Sequence, residues 1–303
     1  MEEKDLYDVI IIGGSYAGLS AALALGRSLR YVLVIDSGNP CNKLAPHSHN
    51  FITNDGVTPT ELHNHAKEQV LAYPSVTFIE GLATAVEPKN NTFIVATESG
   101  DNYISRKILF ATGITDTLPI TPGFSDCWGK SILHCPYCHG YEAKGKKTAV
   151  IGNGDTGYEM AKTIRQWTAN LTLFTNGTST LTPEETLKLN TFNITVVENT
   201  ISAIEEENGY VKKVLFEDAT PEFPEVIYTQ LPFIQQCSIP EDLGVEFTDK
   251  GFIYVSKYME TSLPGVYAAG DCLSLFRSVA HAVSSGNKAG AIINKKLIEE
   301  QFA

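Results

Sequence analysis

The sequence contains no long apolar run and comparatively little positive charge. Its 303 residues include 23 Lys and Arg against 35 Asp and Glu, which gives a formal net charge of -12 at pH 7. A chain of this charge is repelled by nucleic acid and by anionic membrane surfaces, so we expect neither as a partner. No run reaches the roughly 20 apolar residues of a membrane-spanning helix. Segment 1–5 is acidic where a signal peptide would be basic, so no signal peptide is expected.

Cysteine is also scarce. Six cysteines in this chain do not make the dense disulfide framework of small secreted domains, so the reducing cytoplasm is the expected compartment. Cys135 and Cys138 are separated by only two residues. Two cysteines at this spacing can close a small disulfide ring, and a thiolate there is stabilised by its partner and by a helix N-terminus. The pair predicts thiol–disulfide redox chemistry.

Other interpretations of the cysteine pair are open from spacing alone. A zinc site would need a second ligand pair, and Cys127, Cys237 and Cys272 do not provide one at a similar spacing. The string from Cys135 to His139 also matches c-type haem attachment, which would require export of the chain. A pair of buried structural thiols is the third alternative.

Histidines 47, 49, 63 and 65 are the other candidates for a metal site. No carboxylate or cysteine stands beside them at ligand spacing, so we interpret them as polar loop and helix-surface residues. No metal is expected.

A first nucleotide-binding signature lies near the N-terminus. Residues 7–12 predict a buried parallel strand, because residues 9–12 are continuously apolar and β-branched, and this strand runs into a glycine-rich turn and then a helix. The turn places Gly13, Ser15 and Gly18 at the three positions that approach a pyrophosphate and pack helix on strand. Ser15 departs from the usual glycine. Asp36, 18 residues after Gly18, ends the next strand, where a carboxylate can bind an adenosine ribose.

A second signature repeats this pattern after the cysteine pair. Residues 148–151 predict a strand, and the following turn carries Gly152, Gly154 and Gly157 in a full G-x-G-x-x-G spacing. Counting 18 residues onward leads to Thr175, with no carboxylate for a ribose and no Arg or Lys for a 2′-phosphate nearby. The nucleotide fold is predicted here, whereas NADP(H) use is uncertain.

Between these two units, the short segments 76–79 and 93–96 predict an antiparallel layer. Two further apolar strands, 108–112 and 265–269, run directly into Gly113 and Gly270. A residue without a side chain at a strand end suits close approach of the backbone to a large planar ligand.

Taken in this order, the motifs resemble the low-molecular-weight thioredoxin reductases over nearly the whole chain. The resemblance implies an α/β fold of two Rossmann-like, three-layer ββα nucleotide-binding domains, the second inserted in the first. The FAD-binding domain would comprise residues 1–115 and 234–303, and the central domain with the C-x-x-C pair would comprise residues 116–233. The resemblance also implies a homodimer.

The resemblance implies a role for each site residue. Cys135 would exchange with the substrate, Cys138 would face the flavin, and His139 would transfer the proton. Contacts to FAD are implied at Gly13, Ser15, Gly18, Asp36, Leu44, Asn50, Thr112, Gly113, Gly270, Asp271, Arg277, Ser278 and Val279.

Two positions depart from the reductase pattern. His139 stands where the family has an aspartic acid, and an imidazole can do the same proton transfer nearer neutral pH. Thr175 and its successors stand where the family has an arginine pair. The string from Cys135 to Glu142 is instead similar to gliotoxin-type dithiol oxidases, which use oxygen as the electron partner.

Three functions therefore remain open from the sequence. The first is an FAD-dependent, thioredoxin-reductase-like thiol–disulfide oxidoreductase that exchanges electrons with a thioredoxin-like protein or a small dithiol or disulfide. The second is an oxygen-dependent dithiol oxidase, and the third is a non-catalytic flavin-binding redox sensor. Potentials of the flavin, the pair and the partner set the direction of electron flow.

Overall fold

The computed structural model describes residues 6–303, so the acidic segment 1–5 lies outside the described residues. The strands are β1 (Leu6–Ile12), β2 (Val32–Asp36), β3 (Val76–Glu80), β4 (Ala83–Lys89), β5 (Thr92–Thr97), β6 (Asn102–Phe110), β7 (Ile114–Asp116), β8 (Ile132–Leu133), β9 (Thr148–Ile151), β10 (Leu171–Phe174), β11 (Thr195–Val197), β12 (Ile201–Glu207), β13 (Tyr210–Phe216), β14 (Val226–Thr229), β15 (Phe233–Gln235) and β16 (Val266–Ala268). The helices are α1 (Tyr16–Arg27), α2 (Pro59–Leu71), α3 (Phe124–Cys127), α4 (Pro136–His139), α5 (Gly154–Ile164), α6 (Pro183–Thr191), α7 (Ile239–Asp242) and α8 (Val279–Gln301).

The chain forms two compact units. Among the described residues, the first comprises residues 6–43, 57–115 and 234–303, and the second comprises residues 44–56 and 116–233. The structure differs in segment 44–56, which groups with the second unit rather than with the expected FAD-binding domain.

The first unit is built on a seven-stranded sheet in the order β3-β2-β1-β6-β5-β4, with β16 also paired to β6. Strand β6 has three partners: β1 pairs along one of its edges, and its other edge is shared by β5, antiparallel along its first half, and β16, parallel along its last three residues. The continuous apolar runs 9–12 of β1 and 32–35 of β2 are buried, as predicted for a parallel sheet covered on both faces.

One sequence prediction for this sheet is wrong. Strand β3 was expected in an antiparallel layer, but it pairs parallel with β2, with Val32 opposite Val76 and Ile35 opposite Ile79. Helix α2 connects β2 to its neighbour β3, the edge strand, as a parallel crossover. Strands β4 and β5 form the antiparallel hairpin that the sequence predicts, closed by Asn90 and Asn91 in left-handed conformations.

The second unit carries a smaller parallel sheet in the order β11-β10-β9-β14-β8. An antiparallel pair, β12 and β13, lies beside it and shares a buried cluster with its apolar residues. Strand β8 is only two residues long, but it pairs with β14 through Ile132 and Leu133. This pairing fixes the strand that leads directly into the cysteine pair.

Long-range contacts close the first unit on itself. Helix α8 lies against α1, where the Ser20 hydroxyl donates to the carbonyl of Val283 at 2.7 Å and Arg30 Nε donates to Asn294 Oδ1 at 2.8 Å. Among the residues described, no helix has the length and apolarity needed to cross a bilayer.

Candidate active site

Cys135 and Cys138 form a disulfide at the start of helix α4, with their Cα atoms 5.3 Å apart. Cys135 is the N-cap of this helix, and its sulfur accepts a hydrogen bond from the backbone N–H of Cys138 at 3.2 Å. Pro136 occupies the first helical position, where its missing N–H removes no helical hydrogen bond. Both cysteines are half-buried, so the second unit alone does not cover the disulfide completely.

Gly140 and Trp167 brace the helix behind the disulfide. A Cβ atom on Gly140 would lie 2.7 Å from the indole ring of Trp167 and 2.4 Å from the carbonyl oxygen of Pro136. Only glycine lets the indole approach this closely. Two tyrosines of the motif are open to solvent, because Tyr137 and Tyr141 are 66% and 70% exposed. Tyr137 contacts Trp167 edge to face, with ring centroids 5.7 Å apart.

His139 directly follows the second cysteine and closes helix α4. Burial of the imidazole lowers its pKa below the ordinary value of 6.5, and the neighbouring His49 lowers it further. Glu142 acts in the opposite direction and raises this pKa. Because desolvation dominates, the imidazole is neutral at neutral pH and can accept a proton.

His49 lies between two carboxylates, which the sequence analysis did not foresee. Its Nδ1 is 3.5 Å from Asp55 Oδ1, and its Nε2 is 3.7 Å from Glu142 Oε1. His49 is thus a polar loop residue whose contact with Glu142 the sequence did not indicate. The reason is tertiary: Glu142 is 93 positions away along the chain and is brought to the loop by the packing of segment 44–56 on the second unit. No group of three or more metal-binding side chains occurs among residues 6–303.

The first glycine-rich turn fits a dinucleotide. A Cβ atom on Gly18 would lie 1.9 Å from the carbonyl oxygen of Gly13, so strand and helix touch through glycine. Ser15 is the N-cap of α1, makes no side-chain capping bond, and is followed by no acidic residue in the first turn. The terminal N–H groups therefore face no competing anion from α1 itself, as a bound pyrophosphate requires. Asp36 accepts a hydrogen bond from Gly14 N at 2.8 Å at the end of the adjacent strand.

Further residues expected at FAD belong to the first unit. The hydroxyl of Thr112 is buried and has no hydrogen-bond partner among the described residues, which suits a polar group supplied by a ligand. Gly113 and Gly270 both adopt positive φ, at 68° and 89°. Asp271 Oδ2 lies 3.9 Å from Arg277 Nε and accepts from the thiol of Cys41 at 3.7 Å.

Helix α8 begins beside these residues. Ser278 is its N-cap, and its hydroxyl accepts from the backbone N–H of His281 at 3.1 Å. Val279 is the first helical residue. The Ser278 hydroxyl is thus engaged as an acceptor in capping, and its own O–H can still donate.

Leu44 and Asn50, also expected at FAD, belong to the segment that groups with the second unit. Leu44 packs against Gly129, where an added Cβ atom would lie 3.0 Å from Leu44 Cβ. Asn50 donates from its backbone N–H to Asp55 Oδ1 at 2.7 Å. A contact of these two residues with FAD stays a prediction.

At the second glycine-rich turn, the side chain of Asn153 makes hydrogen bonds to other residues of the turn and to the loop after β10. Asn153, the N-cap of α5, accepts from Gly154 N at 2.9 Å and from the N–H of Thr180 at 2.8 Å. Its amide nitrogen donates to the carbonyl of Thr178 at 2.8 Å. Asp155 follows in the first helical turn, so this helix N-terminus already carries a negative charge.

The glycines of this turn have a packing role that needs no ligand. A Cβ atom on Gly157 would lie 2.5 Å from the carbonyl oxygen of Gly152, and one on Gly154 would lie 2.9 Å from the hydroxyl of Thr180. At the end of β10, Thr175 turns its hydroxyl back to the carbonyl of Gly177 at 2.7 Å. The sequence pattern pointed to these glycines. It did not point to Asn153, although asparagine is a preferred N-cap residue.

An open groove of about 440 Å³ lies beside the disulfide in the second unit. Its lining comprises Pro136, Asp155, Thr156, Glu159, Met160, Thr163 and Gln230. Its lining carries the carboxylates of Asp155 and Glu159, and Glu159 is paired with Lys162. The groove is therefore better suited to neutral or cationic molecules than to phosphates.

Comparison with known proteins places this site in context. A model of the pyridine nucleotide-disulphide oxidoreductase family matches residues 7–286. Thioredoxin reductase tcpT of Claviceps purpurea is 32% identical over 313 residues, which cover 99% of this chain and 97% of the relative. The crystal structure of HlmI superposes with a TM-score of 0.94 at 30% identity and covers 100% of this chain and 95% of its own.

A second solved structure, described as a putative thioredoxin reductase TrxB from Bacillus anthracis, superposes with a TM-score of 0.93 at 30% identity. It covers 97% of this chain and 100% of its own. These matches confirm the predicted α/β fold with two Rossmann-like nucleotide-binding domains.

Proposed function

Because the chain belongs to the pyridine nucleotide-disulphide oxidoreductase family, as a thioredoxin-reductase-like oxidoreductase, we propose that it oxidises a dithiol substrate through Cys135 and Cys138 and passes the electrons to bound FAD. In this proposal no nicotinamide takes part. The substrate is a small dithiol or a thioredoxin-like protein dithiol, and the final electron acceptor is dioxygen.

The observation that carries the proposal is the set of hydrogen bonds that Asn153 makes within and across the second glycine-rich turn. Asn153 caps α5 with its own side chain and holds Thr178 and Thr180 across the turn. A nicotinamide dinucleotide would have to displace these hydrogen bonds and place its pyrophosphate next to Asp155. Both requirements oppose binding, since the interaction of an anion with a helix N-terminus depends on exposed N–H groups and the absence of competing negative charge.

The protonation of His139 supports the same direction. A dithiol must lose a proton before its sulfur can attack a disulfide, because the thiolate is the nucleophile. A buried histidine with a lowered pKa is neutral at neutral pH and can accept that proton. This arrangement suits oxidation of an incoming dithiol.

The proposed exchange moves two electrons and two protons. A substrate thiolate attacks Cys135, and the Cys135–Cys138 bond breaks as a mixed disulfide forms. The second substrate thiolate then attacks the substrate sulfur of the mixed disulfide, which closes the substrate disulfide and releases Cys135. The N–H of Cys138 stabilises negative charge on the Cys135 sulfur. His139 takes up a proton from the substrate and delivers it to the reduced pair.

A bound FAD would supply the two-electron acceptor that restores the disulfide and hands the electrons to dioxygen. The residues proposed to hold it are Gly13, Ser15, Gly18, Asp36, Thr112, Gly113, Gly270, Asp271, Arg277, Ser278 and Val279. The steric fit at Gly18 and the buried hydroxyl of Thr112 support this assignment.

An anaerobic titration tests the proposal. The purified flavoprotein is mixed in parallel with NADPH, NADH and dithiothreitol while the flavin absorbance is followed. We expect dithiothreitol to bleach the flavin, air to restore its colour, and both nicotinamides to leave the spectrum unchanged. Stoichiometric bleaching by NADPH or NADH would overturn the nicotinamide-independent assignment.

A reductase working in the opposite direction is the second candidate. It is favoured by similar proteins that are named thioredoxin reductases, such as that of Claviceps purpurea. The full glycine pattern at Gly152, Gly154 and Gly157 also favours it. In that case a nicotinamide or another donor would reduce the flavin, and the protein would reduce a thioredoxin-like disulfide. A redox sensor would instead show no turnover with any pair of electron donor and acceptor.

A further inference from the structure

Helix α2 contacts the first glycine-rich turn at two points. His63 Nε2 lies 3.0 Å from the carbonyl oxygen of Gly14. The hydroxyl of Tyr16 donates to the carbonyl oxygen of Pro59 at 3.2 Å. Pro59 and His63 are four residues apart, so they lie on the same face of α2. The helix is therefore fastened to the turn on either side of Ser15.

The contact at Gly14 identifies His63 as a hydrogen-bond donor. A carbonyl oxygen only accepts, so Nε2 of His63 carries the hydrogen. His63 is half-buried, and its hydrogen bond is partly shielded from water. A hydrogen bond in such surroundings is stronger than one in bulk water, because the effective dielectric constant is lower.

Gly14 is held by other neighbours as well. Its backbone N–H donates to Asp36 Oδ1 at 2.8 Å. A Cβ atom at this position would lie 2.6 Å from the ring of Phe78 and 2.7 Å from Asp36 Cβ. The N–H, the α-carbon and the carbonyl group of this glycine therefore meet β2, β3 and α2 respectively.

The hydrogen bond from His63 also sets the direction of the next backbone N–H. The carbonyl group of Gly14 and the N–H of Ser15 belong to one planar, trans peptide unit, in which they point in opposite directions. Because His63 holds the carbonyl group towards α2, the N–H of Ser15 points away from α2. Among residues 6–303 this N–H has no hydrogen-bond partner, so it is available to a ligand.

We propose that His63 is a positioning residue of the flavin site: its hydrogen bond to Gly14 keeps the first glycine-rich turn in the shape that receives the FAD pyrophosphate. The inference rests on the assignment of this turn to FAD in the proposed function. In this role His63 touches the turn and not the cofactor.

The physical basis is pre-organisation of the turn. A pyrophosphate binds to the backbone N–H groups at the start of the helix that follows the first strand. Binding is tighter when these groups already point at the ligand, because no ordering cost is left to be met on association. Ser15 does not use its side chain to cap α1. The hydrogen bond from α2 orders this peptide unit instead.

The test measures how tightly the full-length flavoprotein holds FAD. A dilution series releases FAD, and the fluorescence of the released flavin gives its Kd. In His63→Met the side chain keeps a good helix former but cannot donate, so we expect the Kd for FAD to rise roughly three- to tenfold. In His63→Gln an amide N–H can donate in place of the imidazole and should restore most of the affinity. Equal losses in the two variants would overturn the inference, since the donor would then not matter.

Phosphorus NMR of the bound FAD separates positioning from a general structural role. In His63→Met the pyrophosphate resonances should move, because the N–H of Ser15 is no longer held in one direction. The visible absorption of the isoalloxazine should stay unchanged. In His63→Gln the resonances should return towards those of the unaltered protein. A loss of affinity with unmoved resonances would show a structural role and would also overturn the inference.

His65→Met is the matched control, because His65 is an exposed histidine on the same helix. It should leave the Kd and the pyrophosphate resonances in place. If His63→Met gives the same Kd as His65→Met, the inference fails while the FAD site stands. If the unaltered protein holds no FAD, the proposed function itself fails.

Discussion

The side-chain oxygen of Asn153 accepts the backbone N–H of Thr180 across 27 residues, at 2.8 Å. The same oxygen accepts from the N–H of Gly154, and the amide nitrogen donates to Thr178. One side chain therefore caps a helix and fastens the loop that follows β10. The first glycine-rich turn has no such capping bond from Ser15. The two turns share a fold and differ in whether their N–H groups are available to a ligand.

The Asn153 contacts should contribute measurably to stability. Replacing a capping Asn by Ala costs about 1–2 kcal/mol in helix stability, and Asn153→Ala also releases the loop at 178–180. We expect the free energy of unfolding in urea to fall by about that amount. Asn190→Ala, at an exposed position near the end of α6, is the control and should have little effect. Equal stabilities for the two variants would contradict the capping role.

Cys135→Ser should abolish dithiol oxidation without disturbing the fold. Serine is a favourable N-cap and can accept the N–H of Cys138 in place of the sulfur. The nucleophilic exchange, however, requires sulfur at this position. We expect no turnover with dithiothreitol and oxygen, an unchanged flavin content, and an unchanged midpoint of thermal unfolding. Cys237→Ser is the matched control and should retain turnover.

Thiol labelling should separate the remaining cysteines by accessibility. Cys41 is exposed, whereas Cys127 and Cys272 are buried. Burial raises the pKa of the Cys272 thiol to about 12, so almost none of it is the reactive thiolate at pH 8. Iodoacetamide should modify Cys41 first in the oxidised protein, as read by peptide mass spectrometry. Labelling of Cys272 at the rate of Cys41 would show that this burial is wrong.

The rate of disulfide reduction should depend on pH through His139. Burial lowers the pKa of its imidazole below 6.5, so the base remains neutral down to that pH and becomes protonated only below it. We expect the ratio of rates for the unaltered protein and His139→Gln to stay constant above pH 6.5 and to fall under more acidic conditions. The ratio removes the ionisation of the dithiol, which is common to both proteins.

The same shift predicts a stability effect with a defined sign. In the unfolded chain the imidazole regains its ordinary pKa of 6.5 and binds a proton before the folded form does. The stability contributed by neutral His139 is present above pH 6.5 and is lost as the pH falls through the folded-state pKa. Urea unfolding should show a smaller loss of free energy between pH 7 and pH 5 in His139→Gln.

A glycine at the first turn is required by space rather than by flexibility. In Gly18→Ala the new Cβ atom would lie 1.9 Å from the carbonyl oxygen of Gly13, so the helix must shift from the strand. We expect a loss of about 1–3 kcal/mol in the free energy of unfolding and a lower flavin content after purification. Gly81→Ala adds its methyl group to open space and is the control. Full flavin retention in Gly18→Ala would argue against this turn as the FAD site.

The sequence was a good guide where a local pattern determines the structure. The buried strand at 7–12, the glycine turns and the C-x-x-C helix are each encoded within about ten residues, and all are found. Strand β3 was misassigned because its alternating residues suit an antiparallel edge, whereas its partner is decided by the crossover through α2.

Tertiary packing determined the parts of the site that the sequence could not provide. The contact of His49 with Glu142 joins distant segments, and nothing local to either residue signals it. Leu44 and Asn50 were placed by family resemblance, while the structure packs their segment on the second unit. The sequence did show that no charged residue directly follows Thr175. The hydrogen bonds of Asn153 across the second glycine-rich turn became visible only in the structure.

The pairing of β16 with β6 and the packing of α8 on α1 have a consequence for biosynthesis. A ribosome releases the whole of the inserted unit before it makes these last elements of the host sheet. Since domains generally fold as units, N-terminal first, during synthesis, the second unit can fold on the nascent chain while the first unit still lacks a strand and its longest helix. The first unit is therefore completed only at the end of translation, through contacts between residues more than 150 positions apart.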